Sequence, residues 1–150
     1  MRKTAKKLIP ALFAAYVLLL CAVFFLRSPV GRVRINLVPF DTITTYLTRL
    51  SENSINTGIV MRGIFGNILL MLPLGALIAI YESLRGISGR AFLALTFAFT
   101  VAAELLQFAL RIGQFDIDTI MLRSVGVIIG YIAVRLASSL ISRGRAEAAR

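Results

Sequence analysis

Four long apolar runs set the terms on which this chain can fold. Leu8 to Leu26, Ile64 to Tyr81, Ala91 to Leu110 and about Thr119 to Leu140 each approach the roughly 20 residues an α-helix needs to cross about 30 Å of hydrocarbon. A chain of 150 residues, 58% of them hydrophobic, has too little polar surface to bury four such runs away from water. The solvent for this surplus is lipid. There each backbone N–H and C=O must be satisfied within its own segment, so the runs are helices. The expected fold is an all-α membrane protein of about four transmembrane helices, one domain over residues 1–150 with short basic tails. The fourth helix, which carries Arg123 and Arg135, is the least apolar.

The first run also has the look of a leader, since Arg2, Lys3, Lys6 and Lys7 precede it. Its 19 residues exceed the apolar region of a signal peptide, and Arg27-Ser28-Pro29-Val30-Gly31 offers no small-x-small cleavage site. Leu20 before Cys21 is too bulky for a lipobox. A permanent first helix is expected. With the N-terminus inside, ten basic residues fall on the cytoplasmic side: Arg2, Lys3, Lys6, Lys7, Arg85, Arg90, Arg135, Arg143, Arg145 and Arg150. Seven fall on the other: Arg27, Arg32, Arg34, Arg49, Arg62, Arg111 and Arg123. The bias predicts that both termini are cytoplasmic.

Charge and cysteine content exclude several function classes. The net charge of +10 sits mainly at the edges of apolar runs, where it anchors helices, and no nucleic-acid motif accompanies it. A single cysteine, Cys21, excludes intrachain disulfides and Cys-based zinc sites, and the absence of His removes most metal and nucleophile chemistries. Neither a metal nor a cofactor is expected.

The first loop, Arg27 to Gly63, is too long for a simple connection. After Pro39, the residues Phe40, Ile43, Leu47 and Leu50 recur at helical spacing, with Thr42, Thr44, Thr48 and Arg49 between them. Either a short helix lies in the membrane interface here, or an irregular loop folds against the bundle.

Polar groups inside the spans each need a reason, because a charge at mid-membrane costs about 2.5–3.5 kcal/mol on insertion scales. Glu104, Gln107 and Arg111 stand at i, i+3 and i+7, one helical face that should turn into the bundle, with Arg111 also suited to snorkel as an anchor. Asn67 lies just inside the first turn of the second span, as a site residue or an interhelical hydrogen bond. Pro73 should kink that helix and free the Leu69 carbonyl, or serve with Gly75 in close packing. One of Asp116 and Asp118 should cap the fourth helix, yet two acids exceed what a cap requires. Gly126 and Gly130 form a GxxxG pair continued by Ala133 and Ala137, a helix-packing stripe.

Helices that alternate in direction bring Asn67, Glu104, Gln107, Asp116, Asp118 and Arg123 to one side of the membrane, with the long first loop. A polar cavity open on that face is the expected ligand-binding site. Glu104 lies about 9 Å and Arg123 about 6 Å from that end of their spans, at 1.5 Å per residue, so the two are expected to pair, with Asp116 or Asp118 as competitors for Arg123.

At these positions the sequence resembles the VanZ-like family. The matching stretches run from Gly66-Asn67 to Pro73-Leu74-Gly75, then Glu104-Leu105-Leu106-Gln107, Phe115-Asp116-Ile117-Asp118, and Gly126 with Gly130. Asn36-Leu37-Val38-Pro39-Phe40 is similar to the family's first-loop signature. Thr119 replaces a further Asp of the family pattern and Arg123 replaces its later Asn, so one carboxylate is lost and one cation gained. The resemblance implies a multi-pass protein of the bacterial cytoplasmic membrane, active in the cell envelope, from a family named for resistance to the glycopeptide teicoplanin.

Three functions follow as expectations. The first is a non-enzymatic accessory factor whose outward cavity binds an amphiphile, an envelope precursor or a partner membrane protein, with membrane lipid around it. The second is a membrane-embedded carboxylate-dependent enzyme acting on a lipid-linked substrate. The third is transport, which four helices without a repeat would achieve only as an oligomer.

Overall fold

Helices carry 85% of the residues that the computed structural model describes, which are 2–26, 34–85 and 88–148. The stretch Arg27 to Gly31 considered above as a cleavage region lies outside them. In chain order the elements are α1 (Arg2–Leu26), β1 (Ile35–Asn36), α2 (Asp41–Ser51), α3 (Thr57–Arg85), α4 (Gly89–Ala109), β2 (Phe115–Asp116) and α5 (Ile117–Ala148). Four of the helices, α1, α3, α4 and α5, are long and apolar enough to cross a membrane. The protein is an all-α multi-pass membrane protein.

The helices outrun the apolar stretches that announce them. α3 begins at Thr57, not near Ile64, because Gly58, Arg62 and Gly63 lower the hydropathy without breaking the helix. Asn56 starts it: its side-chain oxygen accepts from the Gly58 N–H at 2.7 Å, and its carbonyl accepts from Ile59 at 2.9 Å. Asn67 therefore lies well inside the helix, not in its first turn. α5 likewise continues past Leu140 to Ala148.

α3 and α5 run in the same direction and form the closest pair, joined through glycine. A Cβ at Gly75 would collide with the Val127 carbonyl, one at Gly126 with the Ile68 carbonyl, and one at Gly130 with the Leu72 carbonyl. Gly126 and Gly130, with Gly75, form a backbone-to-backbone seam, the use that lipid-embedded helices make of glycine, whereas Ala133 and Ala137, expected to continue the stripe, are exposed. Pro73 lies within an unbroken α3, and beside it the Leu70 carbonyl accepts the Tyr16 hydroxyl of α1 at 2.6 Å. The core packs Leu20 and Phe24 of α1 against Met71, Leu74 and Ile78 of α3, Ala103 of α4 and Val127 of α5. Towards the end of the bundle that carries the chain termini, Phe92 meets Tyr81 and Phe13 edge-on at 5.3 and 5.8 Å.

At the opposite, distal end the first loop is tied down. β1 and β2 pair in parallel, Ile35 opposite Phe115 and Asn36 opposite Asp116. Of the two readings of the stretch after Pro39, the short helix is the one found: it is α2, whose Tyr46 ring lies where a side chain at position 63 would stand; Gly63 makes the room. Two helices end in the same hydrogen-bonded cap, with a residue at positive φ just after the last turn: Asn53 after α2 (φ 53) and Arg111 after α4 (φ 57). In the second, Ile112 N–H reaches the Gln107 carbonyl and Arg111 N–H the Phe108 carbonyl, both at 3.0 Å. Arg111 is thereby turned out of the Glu104–Gln107 face and is exposed, against the expectation that it shares that face and in keeping with an anchoring role.

Candidate functional site

Two linked polar sets occupy the distal end of the bundle. The inner set begins with Glu104 of α4, whose side chain is 4% exposed. Its Oε1 lies 2.7 Å from Nη1 of Arg123 on α5, the pair expected from their depths. The contact is ionic; Nη1 makes no hydrogen bond of favourable angle. The rest of the guanidinium is held from two more helices. Nε donates to Oδ1 of Asn67 on α3 at 3.1 Å, and the cation sits 4.0 Å from the centroid of the Phe24 ring on α1. Asn67 in turn donates to the Gly63 carbonyl at 2.7 Å, and Gln107, one turn along from Glu104, donates to the Phe24 carbonyl at 2.6 Å. All four spanning helices thus meet around one buried ion pair.

The outer set is built on the two aspartates at the start of α5. Oδ1 of Asp116 accepts from the Asp118 N–H at 2.9 Å, which caps α5 as expected of one of the two. The same oxygen accepts from Nδ2 of Asn36 at 3.0 Å, and Oδ2 accepts the Thr42 hydroxyl at 2.8 Å. Asp118 caps a different helix. Residue 40, where α2 begins, is a phenylalanine in left-handed conformation (φ 68) with no side-chain cap of its own. Asp118 supplies it from across the fold: Oδ1 accepts from the Phe40 N–H, and Oδ2 from the N–H groups of Thr42 at 2.9 Å and Ile43 at 3.2 Å. The second acid is explained by this borrowed cap, which also sets an anion at the positive end of the α2 dipole. Asp116 lies close enough to both Glu104 and Arg123 to link the two sets electrostatically.

The six candidate ligand-binding residues, Asn67, Glu104, Gln107, Asp116, Asp118 and Arg123, are therefore gathered at one end of the molecule, but not around an open cavity. Asp118 is wholly buried, and Glu104, Arg123, Gln107 and Asp116 are each less than a tenth exposed. Their polar atoms face one another and the backbone of the first loop, which closes over them. Open space lies elsewhere: an apolar groove of about 410 Å³ between α1 and α3 beside Tyr16 and Pro73, and a crevice of about 210 Å³ lined by Phe13, Val17, Leu74, Phe92 and Phe99. Among the described residues no group of three or more His, Cys, Asp or Glu is placed to hold a metal ion.

Two site residues escaped the sequence reading. Asn36 and Thr42 hydrogen-bond each other at 3.0 Å and both bind Asp116. Asn36 was legible only as part of a loop signature; its side-chain oxygen accepts from the Val38 N–H at 3.1 Å, the turn that brings Pro39 and Phe40 under Asp118.

The family model described as VanZ/LLP1 matches residues 13–138, from α1 into α5 and across every residue of both polar sets. No curated protein and no solved structure matches the chain.

Proposed function

This chain belongs to the VanZ/LLP1 family, and from that premise we propose that it is a non-enzymatic accessory protein of the bacterial cell envelope, with its distal end facing outward. Its work is to hold an amphiphile, a lipid-linked envelope precursor or a lipid-tailed glycopeptide, at the outer membrane–water interface, and so to alter susceptibility to antibiotics such as teicoplanin. The observation that carries this reading is the use of the carboxylates. All four oxygens of Asp116 and Asp118 already accept hydrogen bonds from the protein, and Glu104 is spent on Arg123. General acid–base work requires a carboxylate within hydrogen-bond reach of a substrate proton, and buried, fully engaged groups do not offer one. Positioning is what remains.

What they position is the β1–α2 segment. Leu37, Val38, Phe40 and Leu47 are all more than half exposed on it, a set of apolar side chains suited to the acyl boundary of a bilayer. Arg49 and Arg62 are exposed alongside and suit the anionic headgroup of such a ligand.

The test is made in a strain lacking its own protein of this family, scored for growth in teicoplanin and for lipids that copurify with the protein. The double variant Phe40→Ala, Leu47→Asn alters only exposed side chains. It should accumulate normally, lose the copurifying amphiphile and lose the growth effect. A chemically altered lipid that accumulates with the wild type and disappears in Glu104→Gln would overturn the accessory reading in favour of an enzyme. Copurification of a membrane protein in place of a lipid would replace the amphiphile with a partner.

A further inference from the structure

At the end of the bundle that carries the chain termini, α5 shows a polar stripe unlike the rest of its length. Arg135, Ser138, Ser139 and Ser142 stand at i, i+3, i+4 and i+7, which is one helical face. With Ser83 of α3 they line a recess of about 280 Å³, floored by the buried Ala79. Such a face near a membrane surface suits a polar occupant better than hydrocarbon, which could not answer the Arg135 charge.

The charge at the recess is only partly answered within the protein. Glu82 is the nearest acid, 3.8 Å from Nη1 of Arg135, but its oxygens already take the Tyr131 hydroxyl and the Gly89 N–H at the start of α4. Arg135 makes no hydrogen bond among the described residues, and its side chain is 56% exposed. Ser139, Ser142 and Ser83 donate to carbonyls of their own helices at 2.8 to 3.0 Å, bonds that a rotating hydroxyl can exchange for a better acceptor, while Ser138 has no partner among the described residues. By sequence order the ten basic residues on this side face only two acids, Glu82 and Glu147, whereas seven on the distal side face five. Nearly all of the net positive charge therefore belongs to the end where the recess lies.

We infer that this recess between α3 and α5 binds a phosphate group, Arg135 supplying the cation and the serine hydroxyls the neutral donors, and that the phosphate is the headgroup of an anionic membrane lipid. An arginine presents forked N–H donors to phosphate oxygens, and basic pockets between helix ends are where anionic headgroups lodge. The recess is too small for a folded partner, and Leu136 and Leu140, on the adjoining face of α5 at the same depth, are exposed to the bilayer, where the acyl chains would run.

Native mass spectrometry of the full chain, released from mixed micelles of phosphatidylglycerol and phosphatidylcholine, tests this. The wild type should retain phosphatidylglycerol selectively. Arg135→Gln should lower that retention by about fivefold, the value of one well-placed basic residue near a membrane surface. Arg143→Gln, the same loss of charge outside the recess, should change it less than about twofold on the same scale. Ser138→Leu with Ser142→Leu keeps every charge but fills the recess, and should match Arg135→Gln; it decides the matter if Arg135→Gln does not fold. Retention that is unmoved by millimolar inorganic phosphate confirms the lipid headgroup. Inorganic phosphate that binds with the same Arg135 dependence, and displaces the lipid, keeps the phosphate site but overturns the lipid source. Equal losses in Arg135→Gln and Arg143→Gln, or retention unaffected by filling the recess, would overturn the site itself.

Discussion

Glu104 and Arg123 illustrate how much of a membrane protein is decided residue by residue. Neither charge is tolerable alone in hydrocarbon, and each lies near the same end of its span, so a pair was legible from depth alone. The structure adds what depth could not give: Arg123 is also held by Asn67 and by the Phe24 ring, so four helices share one guanidinium. Removing one partner strands the other. Arg123→Leu and Glu104→Leu should each cost about 3–5 kcal/mol, while the double substitution should cost much less than their sum. A double-mutant cycle on thermal unfolding in detergent reads this directly, and additive losses would show that the contact has no energetic weight. Asp118 was less legible. Its targets lie 75 to 78 residues away in sequence, so no local pattern announces that it caps α2.

Among the elements, the spanning helices and α2 were readable because hydropathy and a 3.6-residue period are properties of short windows. The ends were not, since Thr57, Gly58 and Arg62 read as loop until Asn56 is seen to start α3. The glycines show why pattern and placement have to be combined. Gly126 and Gly130 announce a packing face, but only the structure pairs it with Gly75 across a seam where backbone carbonyls bar any side chain. Gly126→Val and Gly130→Val should therefore lower stability by about 1–3 kcal/mol, the usual cost of overpacking, or more where the backbone cannot yield. Gly66 lies in the same α3, where an added Cβ meets nothing closer than 4.0 Å. Gly66→Ala should raise stability, by up to about 1 kcal/mol, through helix propensity and a less flexible unfolded chain. Thermal unfolding of the three variants checks both directions; equal effects at positions 66 and 126 would contradict the seam.

For the molecule as a whole, the serpentine order of spans separates a distal end that holds the polar sets from an end that carries the termini. Cysteines introduced as Ser54→Cys and Ser142→Cys, each in a Cys21→Ser background, should react with an impermeant thiol reagent from opposite sides of the membrane; labelling of both from one side would contradict four crossings. The open polar cavity foreseen from the sequence is instead a closed knot, because the same groups that could receive a ligand are used to fasten the first loop. That fastening is central to the molecule, since the exposed apolar face of β1 and α2 can act at the interface only if it is held there. Hydrogen exchange across the whole chain, compared between wild type and Asp118→Asn in lipid nanodiscs, tests it most directly. Three N–H groups lose a charged acceptor, so exchange should accelerate at least about tenfold, the equivalent of about 1.4 kcal/mol. The acceleration should be confined to β1 and α2, with α3, α4 and α5 keeping their protection. Unchanged protection of residues 41–51 would contradict the fastening, and with it the proposal that the buried carboxylates serve to position the outward face.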